Sequence, residues 1–428
     1  MAASNAREAM ASAWPDDPAA LRDVALAFDL KRLEPRFLDD PYTLYRALRE
    51  HDPIHAMPDG SYFLSRYDDC AAVYRDHDSW SSDKRIDFRP NFAATLLYEH
   101  HTTSLVFNDP PYHARVRRLL APAFTPRALK ALQPRIEALV DRLLDAAAAH
   151  GSFDLIDQFA SAIPVQLIGD MLGVPQDERA PLRGWSLAIL GAIEPVLSAD
   201  QLARGVAAVA EFKRYLHDLV ARRLKQGTSD PAEVLSTLIA ASDVGATDPM
   251  GERLSVSELL HNCVFLLNAG HETTTNLIGN GVDLLLRHPA ALRELRDDPS
   301  LIDSAVEECL RMESSNQLGN RRAARDSELG GIAMPAGTYV HIGIGAANRD
   351  PAQFPDAERF DIRRQPNRHL AFATGIHACA GMSLARMEAQ VGIGKLVRRF
   401  PRIERDGAAV RGRRARFRGF LHYPLRVA

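Results

Sequence analysis

The sequence predicts a mainly α-helical chain with small β-sheets, an α+β fold built as one large unit. Three observations carry this. Alanine- and leucine-rich segments near 127–148, 201–225 and 232–242 repeat their apolar residues at helical spacing. Ser255-Val-Ser-Glu258 opens a run without proline that continues to His288. The stretch IHAMPDGSYFLSRY, Ile54–Tyr67, reads as a hairpin, because Asp59-Gly60 tolerates the positive φ of a tight turn.

In chain order, residues 1–25 are alanine-rich but interrupted by Arg7, Glu8, Asp16 and Asp17, and predict a flexible N-terminal segment without the apolar stretch of a signal peptide. The hairpin and the periodic helices follow. Ser242–Arg253 is a loop by its Gly, Pro and Asp content. Ser255 and Glu258 then form a capping box, each side chain satisfying an amide at a helix start. The helix they open should run about 30 residues, ~45 Å at 1.5 Å per residue. A helix that long crosses the whole molecule. So although 428 residues exceed the ~250–300 of a usual single core, 26–428 reads as one domain.

Composition excludes several classes. The chain is 46% hydrophobic and 25% charged, and its formal charge of -3 points to neither nucleic acid nor an anionic membrane. The cluster Arg411, Arg413, Arg414, Arg416 and Arg418 has no nucleic-acid module beside it, and its partial alternation reads as strand. No apolar run approaches the ~18 residues of a membrane span. Four cysteines, Cys70, Cys263, Cys309 and Cys379, lie far apart, which suits a reducing compartment and no disulfide framework. A cytoplasmic location is expected.

The long helix breaks its own rules at Ala269-Gly270-His271-Glu272-Thr273-Thr274-Thr275. Glycine and consecutive β-branched residues cost up to ~1 kcal/mol each in a helix. Ala269 and Gly270 leave a face nearly free of side chains. Thr273 is placed to bond a carbonyl one turn back and open the helix locally. Glu272 beside it adds a carboxyl, so acid and alcohol next to a gap suggest a proton relay. A zinc-protease HExxH reading fails because position 275 is Thr. A plain helix kink is the alternative. Downstream, Glu308 and Arg311 are i, i+3 neighbours able to pair, with Cys309 as a core residue.

Near the C-terminus the chain reads HLAFATGIHACAG, His369–Gly381. Cys379 sits just before a helical run marked by Leu384, Met387 and Val391. Amides at a helix start favour a thiolate. Glycines 375 and 381 let the backbone approach something flat. A nucleophile, a metal ligand with His377, an axial ligand to haem iron and an inert buried cysteine are all open on these residues alone.

The segment resembles the haem-ligand signature Phe-Gly-x-Gly-x-His-x-Cys-x-Gly of the cytochrome P450 family, matched by Phe372, Gly375, His377, Cys379 and Gly381, with Ala373 where the family usually has its first glycine. The acid–alcohol helix, the Glu308-x-x-Arg311 pair, Asp109-Pro-Pro-Tyr-His113 through Arg117, and Asn348-Arg-Asp-Pro351 followed by Phe354 to Asp361 resemble further family signatures in the expected order. The resemblance implies haem b between the long central helix and the cysteine loop, with the Cys379 thiolate as axial iron ligand and Phe372 packed near the sulfur. It implies that Glu272 and Thr273 deliver protons to dioxygen beside Ala269 and Gly270. It implies that His113, Arg117, Arg321 and His369 hold propionates, with His377 making a propionate or backbone contact, and that Glu308, Arg311 and Arg359 form a supporting ion network.

About fifty residues follow Cys379, too few for a reductase domain, so electrons are expected from a ferredoxin-type carrier and an NAD(P)H-dependent reductase. Arg115, Arg118, Arg127 and Lys130 are the candidate docking patch. The expected activity is O2-dependent hydroxylation, O-dealkylation or epoxidation of a small to medium, mostly apolar organic substrate. The pocket is expected to draw on Leu190, Ile193, Leu197, Phe265, Leu266 and Leu318, with His100, His101, Ser315, Asn316 and Gln317 as its polar groups. The alternatives are a peroxide-driven or isomerising relative, and a haem sensor without turnover.

Overall fold

The computed structural model describes residues 14–226, 233–244 and 252–428. Helical periodicity builds most of it. In Pro126–His150, the buried Leu129, Leu132, Ile136, Val140 and Leu144 follow one stripe, and Gly151 ends the helix in left-handed backbone at φ 69°. Ala199–Gln226 buries Val209, Phe212, Leu216 and Leu219 on the same logic. Val234–Ala240 is the third periodic segment. Of the loop expected over Ser242–Arg253, residues 245–251 lie outside the described residues, and its ends close on each other at Ser242 and Leu254.

The central element is Val256–Arg287, 32 residues long. Its capping box forms as the spacing predicts, with Ser255 N–H donating to Glu258 at 2.8 Å and Glu258 N–H to Ser255 Oγ at 3.2 Å. From Thr274 to Leu285 every residue is buried. A helix covered on all sides must satisfy its polar side chains internally. Asn280 donates to the carbonyls of Glu313 and Arg418, and Asp283 accepts from the Tyr423 hydroxyl at 2.9 Å. Helices Ala162–Met171, Leu182–Gly191, Ile302–Met312 and Met382–Arg399 pack around it.

The hairpin Ile54–Ala56 with Tyr62–Leu64 turns at Gly60, φ 81°, and edges a five-stranded sheet. Tyr62–Leu64 pairs in parallel with Tyr339–Gly343, which pairs antiparallel with Leu318–Ala323 and through it with Trp80–Ser81. This sheet carries Arg321 towards the centre of the molecule.

Two expectations are corrected. Residues 1–25 are not flexible throughout: Asp17 caps a helix Pro18–Leu26 that docks on Tyr42–His51 and buries Ala25. Residues 1–13 lie outside the described residues. Of the cluster Arg411, Arg413, Arg414, Arg416 and Arg418, only Arg411 lies in a strand, Val410–Arg411. Beyond it, Arg414 pairs with Glu194 and Arg418 with Glu313, so these charges are consumed inside the fold. Among the described residues no helix is long and apolar enough to cross a membrane.

Candidate active site

A cavity of about 350 Å3 is walled on one side by the middle of the long helix (Phe265, Leu266, Asn268, Ala269, Gly270, Thr273) and on another by the cysteine loop (Phe372, Ala373, His377, Cys379, Gly381). The loop closes on itself through Cys379 N–H to Phe372 O at 2.9 Å and Ala373 N–H to Leu370 O at 2.8 Å. Ala373 stands at φ 54°, so the loop keeps the left-handed bend of a glycine and an L-residue carries it, at about 1–2 kcal/mol. Gly375, at φ 75°, is required for a different reason than expected. A Cβ there would collide with the Tyr74 carbonyl oxygen, and Gly375 does not line the cavity.

Cys379 precedes Gly381, the first residue of the Met382–Arg399 helix start. Burial holds its thiol above the ordinary value, against the Gly381 N–H and the Arg117 and Arg386 charges. The thiolate expected from the helix N-terminus alone is therefore not favoured in the bare protein. Metal ligation is what deprotonates such a thiol. Among the described residues no three His, Cys, Asp or Glu side chains converge to hold a metal ion, so the zinc reading of Cys379 with His377 lacks its other ligands.

The rim of the cavity is basic. The His113 and His377 rings meet at 4.1 Å between centroids, tilted by 46°, both held neutral mainly by burial, which pushes His113 down to about 4 and His377 to about 2. His377 Nε2 is buried without a hydrogen-bond partner, 4.0 Å from the nearest carboxylate oxygen, on Asp109. Arg321 lies over the Tyr74 ring at 5.2 Å and, among the described residues, donates to the Asn320 carbonyl alone. Arg117 lines the same space. His369 does not join them. It faces Glu307 at 3.2 Å, whose two oxygens accept from the Arg386 guanidinium.

Across the cavity Thr273 donates to Ala269 O at 2.7 Å, the predicted bond one turn back, but the helix runs on unbroken instead of opening. A Cβ on Gly270 would meet the Ile168 side chain, so the missing side chain admits a neighbouring helix as well as space. Glu272 does not line the cavity. It is buried, one oxygen pairing with Arg414, whose Nε reaches Glu194 at 3.0 Å, and the other without a partner. Burial, helped by Glu194 and opposed by Arg414, pushes this carboxyl up to about 7.

Glu308 and Arg311 form a fully buried pair, with Nε and Nη2 each 2.8 Å from a carboxylate oxygen. Arg311 Nη1 reaches the carbonyls of Asn348 and Ala357. Arg359, expected here, contributes only its carbonyl, and its side chain is 70% exposed. Arg364 takes the place: its Nε lies 3.2 Å from Glu308 and its guanidinium donates to the carbonyls of Pro355 and Asp356.

Residues 192–409 match the family model described as Cytochrome P450. The chain belongs to the cytochrome P450 family. It is 40% identical to a vitamin D(3) 25-hydroxylase of Pseudonocardia autotrophica, over 84% of this chain and 86% of that one. It is 39% identical to the cytochrome P450 monooxygenase PikC of Streptomyces venezuelae, over 88% of each. The solved structure of CalO2 superimposes with a TM-score of 0.86 at 32% identity, over 94% of this chain and 99% of that one. The protein is thus a cytochrome P450 monooxygenase, an oxidoreductase of a family that binds haem b through a cysteine thiolate.

The site fits that group. A cysteine loop faces a helix stretch of small residues, and Arg117 and Arg321, which form no ion pair among the described residues, line one edge with the orphaned Nε2 of His377, whose nearest carboxylate oxygen is 4.0 Å away on Asp109, as a doubly anionic edge demands. Of the expected substrate-pocket residues, His100, His101, Leu190, Ile193, Phe265, Leu266, Ser315, Asn316 and Leu318 line the cavity, whereas Leu197 and Gln317 do not. Arg115 leaves the docking patch, pairing instead with Glu258, while Arg118, Arg127 and Lys130 are exposed.

The sequence reading missed Glu388. It lines the cavity fully buried, has one oxygen without a partner, and is pushed up to about 8 by burial. Its signal was present: it lies four residues after Leu384, on the stripe that faces inward.

Proposed function

We propose that this P450 holds haem b with Cys379 as the axial ligand and hydroxylates a small to medium, mostly apolar substrate. The observation that carries it is one cavity lined by Cys379, by Ala269, Gly270 and Thr273, and by Arg117, Arg321 and His377. Bound there, the haem would supply a thiolate-ligated iron for oxygenating a C–H bond with one atom of dioxygen, the other leaving as water with two electrons and two protons taken up.

The chain's own residues do the rest. Arg117, Arg321, His113 and His377 hold the propionates, while Phe372 shields the sulfur with its own ring held under Arg386 at 4.7 Å. Gly381 N–H tempers the thiolate. Thr273 presents a hydroxyl at the cavity wall and Glu272 holds a proton near neutral pH. Because Glu272 faces Arg414, handing its proton to Thr273 requires the carboxyl to turn from that pair or to act through water. Electrons come from a ferredoxin-type carrier fed by an NAD(P)H-dependent reductase, docking on Arg118, Arg127 and Lys130, and the enzyme works in the cytoplasm.

The test is the absorbance of purified protein reduced with dithionite, with and without carbon monoxide. A strongly red-shifted Soret band that Cys379→Ala abolishes is expected. A band at the histidine-haem position in the wild type, or no haem in folded protein, overturns the assignment of Cys379.

A further inference from the structure

The cavity carries a polar cluster that the chemistry above does not use. His100 and His101, on the helix Leu96–Thr103, and Asn268, on the long helix, all line it and are 2%, 2% and 3% exposed. Both ring nitrogens of His101 and the Asn268 Oδ1 are buried without hydrogen-bond partners. His100 lies between them, its ring 5.2 Å from that of His101 and its Nε2 3.4 Å from Asn268 Nδ2. His101 is packed edge-on by Phe88, Phe92 and Phe107. In such a nest phenylalanine would fill the space without cost, whereas a buried imidazole N–H and N lone pair left unmet cost about 1–3 kcal/mol each. Polar atoms kept at that cost on a cavity wall are waiting for a ligand.

The chemistry they offer is neutral. Burial drives His101 down to about 3 and His100 well below its ordinary value, so neither is a cation at working pH. A neutral imidazole donates once and accepts once, and Asn268 Oδ1 accepts. The partner that meets both is a hydroxyl, which accepts and donates together. A ketone meets the donor alone. Arg416 also lines the cavity, but its Nε and Nη1 are on the carbonyls of Ile193 and Leu318.

We infer that His101 and Asn268 form a subsite for a neutral hydroxyl group on an otherwise apolar substrate. This rests on the reading of the cavity as a haem and substrate site, and it names the substrate class.

Four probes of one skeleton test it: adamantane, 1-adamantanol, 2-adamantanone and adamantane-1-carboxylate. Each is titrated into the haem-loaded full chain and its Kd read from the shift of the haem absorbance on binding. The quantity compared is the alcohol-to-hydrocarbon Kd ratio in the wild type, His101→Phe and Asn268→Leu. Phenylalanine preserves the aromatic nest, and the second variant tests the subsite independently should the first fail to load haem. Either substitution should erode the alcohol's advantage about tenfold while leaving the adamantane Kd within about twofold. The ketone should respond to His101→Phe more than to Asn268→Leu. An unchanged ratio in both variants overturns the inference, as does tightest binding of the carboxylate with dependence on Arg416. Protein that folds without any Soret band would instead defeat the haem reading, a separate and visible failure.

Discussion

Replacing Glu308 by Gln keeps the size and shape of a side chain that accepts five hydrogen bonds. Arg311 gives two, and the Asp361 amide, Arg364 Nε and Asn367 Nδ2 give one each. The substitution removes the carboxylate charge that balances a guanidinium with no solvent exposure, and it turns one acceptor oxygen into an NH2 donor that faces other donors. Breaking one partner of a buried pair costs about 3–5 kcal/mol. For 428 residues the unfolding entropy is about 0.9 kcal/mol per K, so Tm should fall by about 3–6 °C. The loop that leads into Cys379 hangs on this pair through Asn348, whose carbonyl takes Arg311 and whose Oδ1 takes Leu370 N–H at 2.6 Å. Haem retention should therefore drop along with Tm. The assay is calorimetry beside the haem-to-protein absorbance ratio. Arg364→Ala should cost about 1.5–3 kcal/mol, the worth of a hydrogen bond to a charged group. Arg359→Ala should be silent within about 0.5 kcal/mol, as for an exposed side chain. Full haem loading and an unchanged Tm in Glu308→Gln would refute the reasoning, and so would equal effects of the two arginine changes.

Two further outcomes follow from the same geometry. Thr273→Ala should retain the haem and its carbon monoxide spectrum but divert reducing equivalents to peroxide in a reconstituted turnover, so tightly coupled product formation would remove Thr273 from proton delivery. Glu388 has its carboxyl pKa raised from the usual range to about 8 by burial alone. Its contribution is neutral below about pH 4.5, where folded and unfolded chains are both protonated, and stability then falls by about 1.4 kcal/mol per pH unit until the folded group ionises near pH 8. At pH 7 the loss is on the order of 3 kcal/mol, so Glu388→Gln should flatten the decline of Tm between pH 5 and 8, and parallel curves for the two proteins would show that burial does not hold this proton.

What the sequence revealed and what it hid divide along a physical line. Elements specified within a few residues were legible: the stripe of Pro126–His150, the capping box at Ser255, the Asp59-Gly60 hairpin, and the bond from Thr273 to the carbonyl four residues back. The order of the segments that resemble the family's signatures was legible for the same reason, since each is a local pattern. Hidden were the partners fixed by distant closure. Arg359 and Arg364 sit five residues apart in one loop, and only the direction of the Pro355, Asp356 and Arg359 carbonyls, all gathered on the Arg364 guanidinium, decides which one turns inward to Glu308. His369 looked like a propionate partner by its place before Cys379, but Glu307 on another helix, already gripped by Arg386, faces it first.

The most consequential of these hidden pairs is Glu272 with Arg414, 142 residues apart. As an isolated acid beside Thr273, Glu272 reads as a donor ready for use. In the fold it is tied through Arg414 to Glu194, which also accepts the Ala415 and Arg416 amides. Glu194 follows the Leu182–Gly191 helix that lends Ile189 and Leu190 to the cavity wall. A substrate that moved this wall would therefore act on the same ion pair that restrains the proton. The acid is local in the sequence, but its availability is a property of the closed cavity.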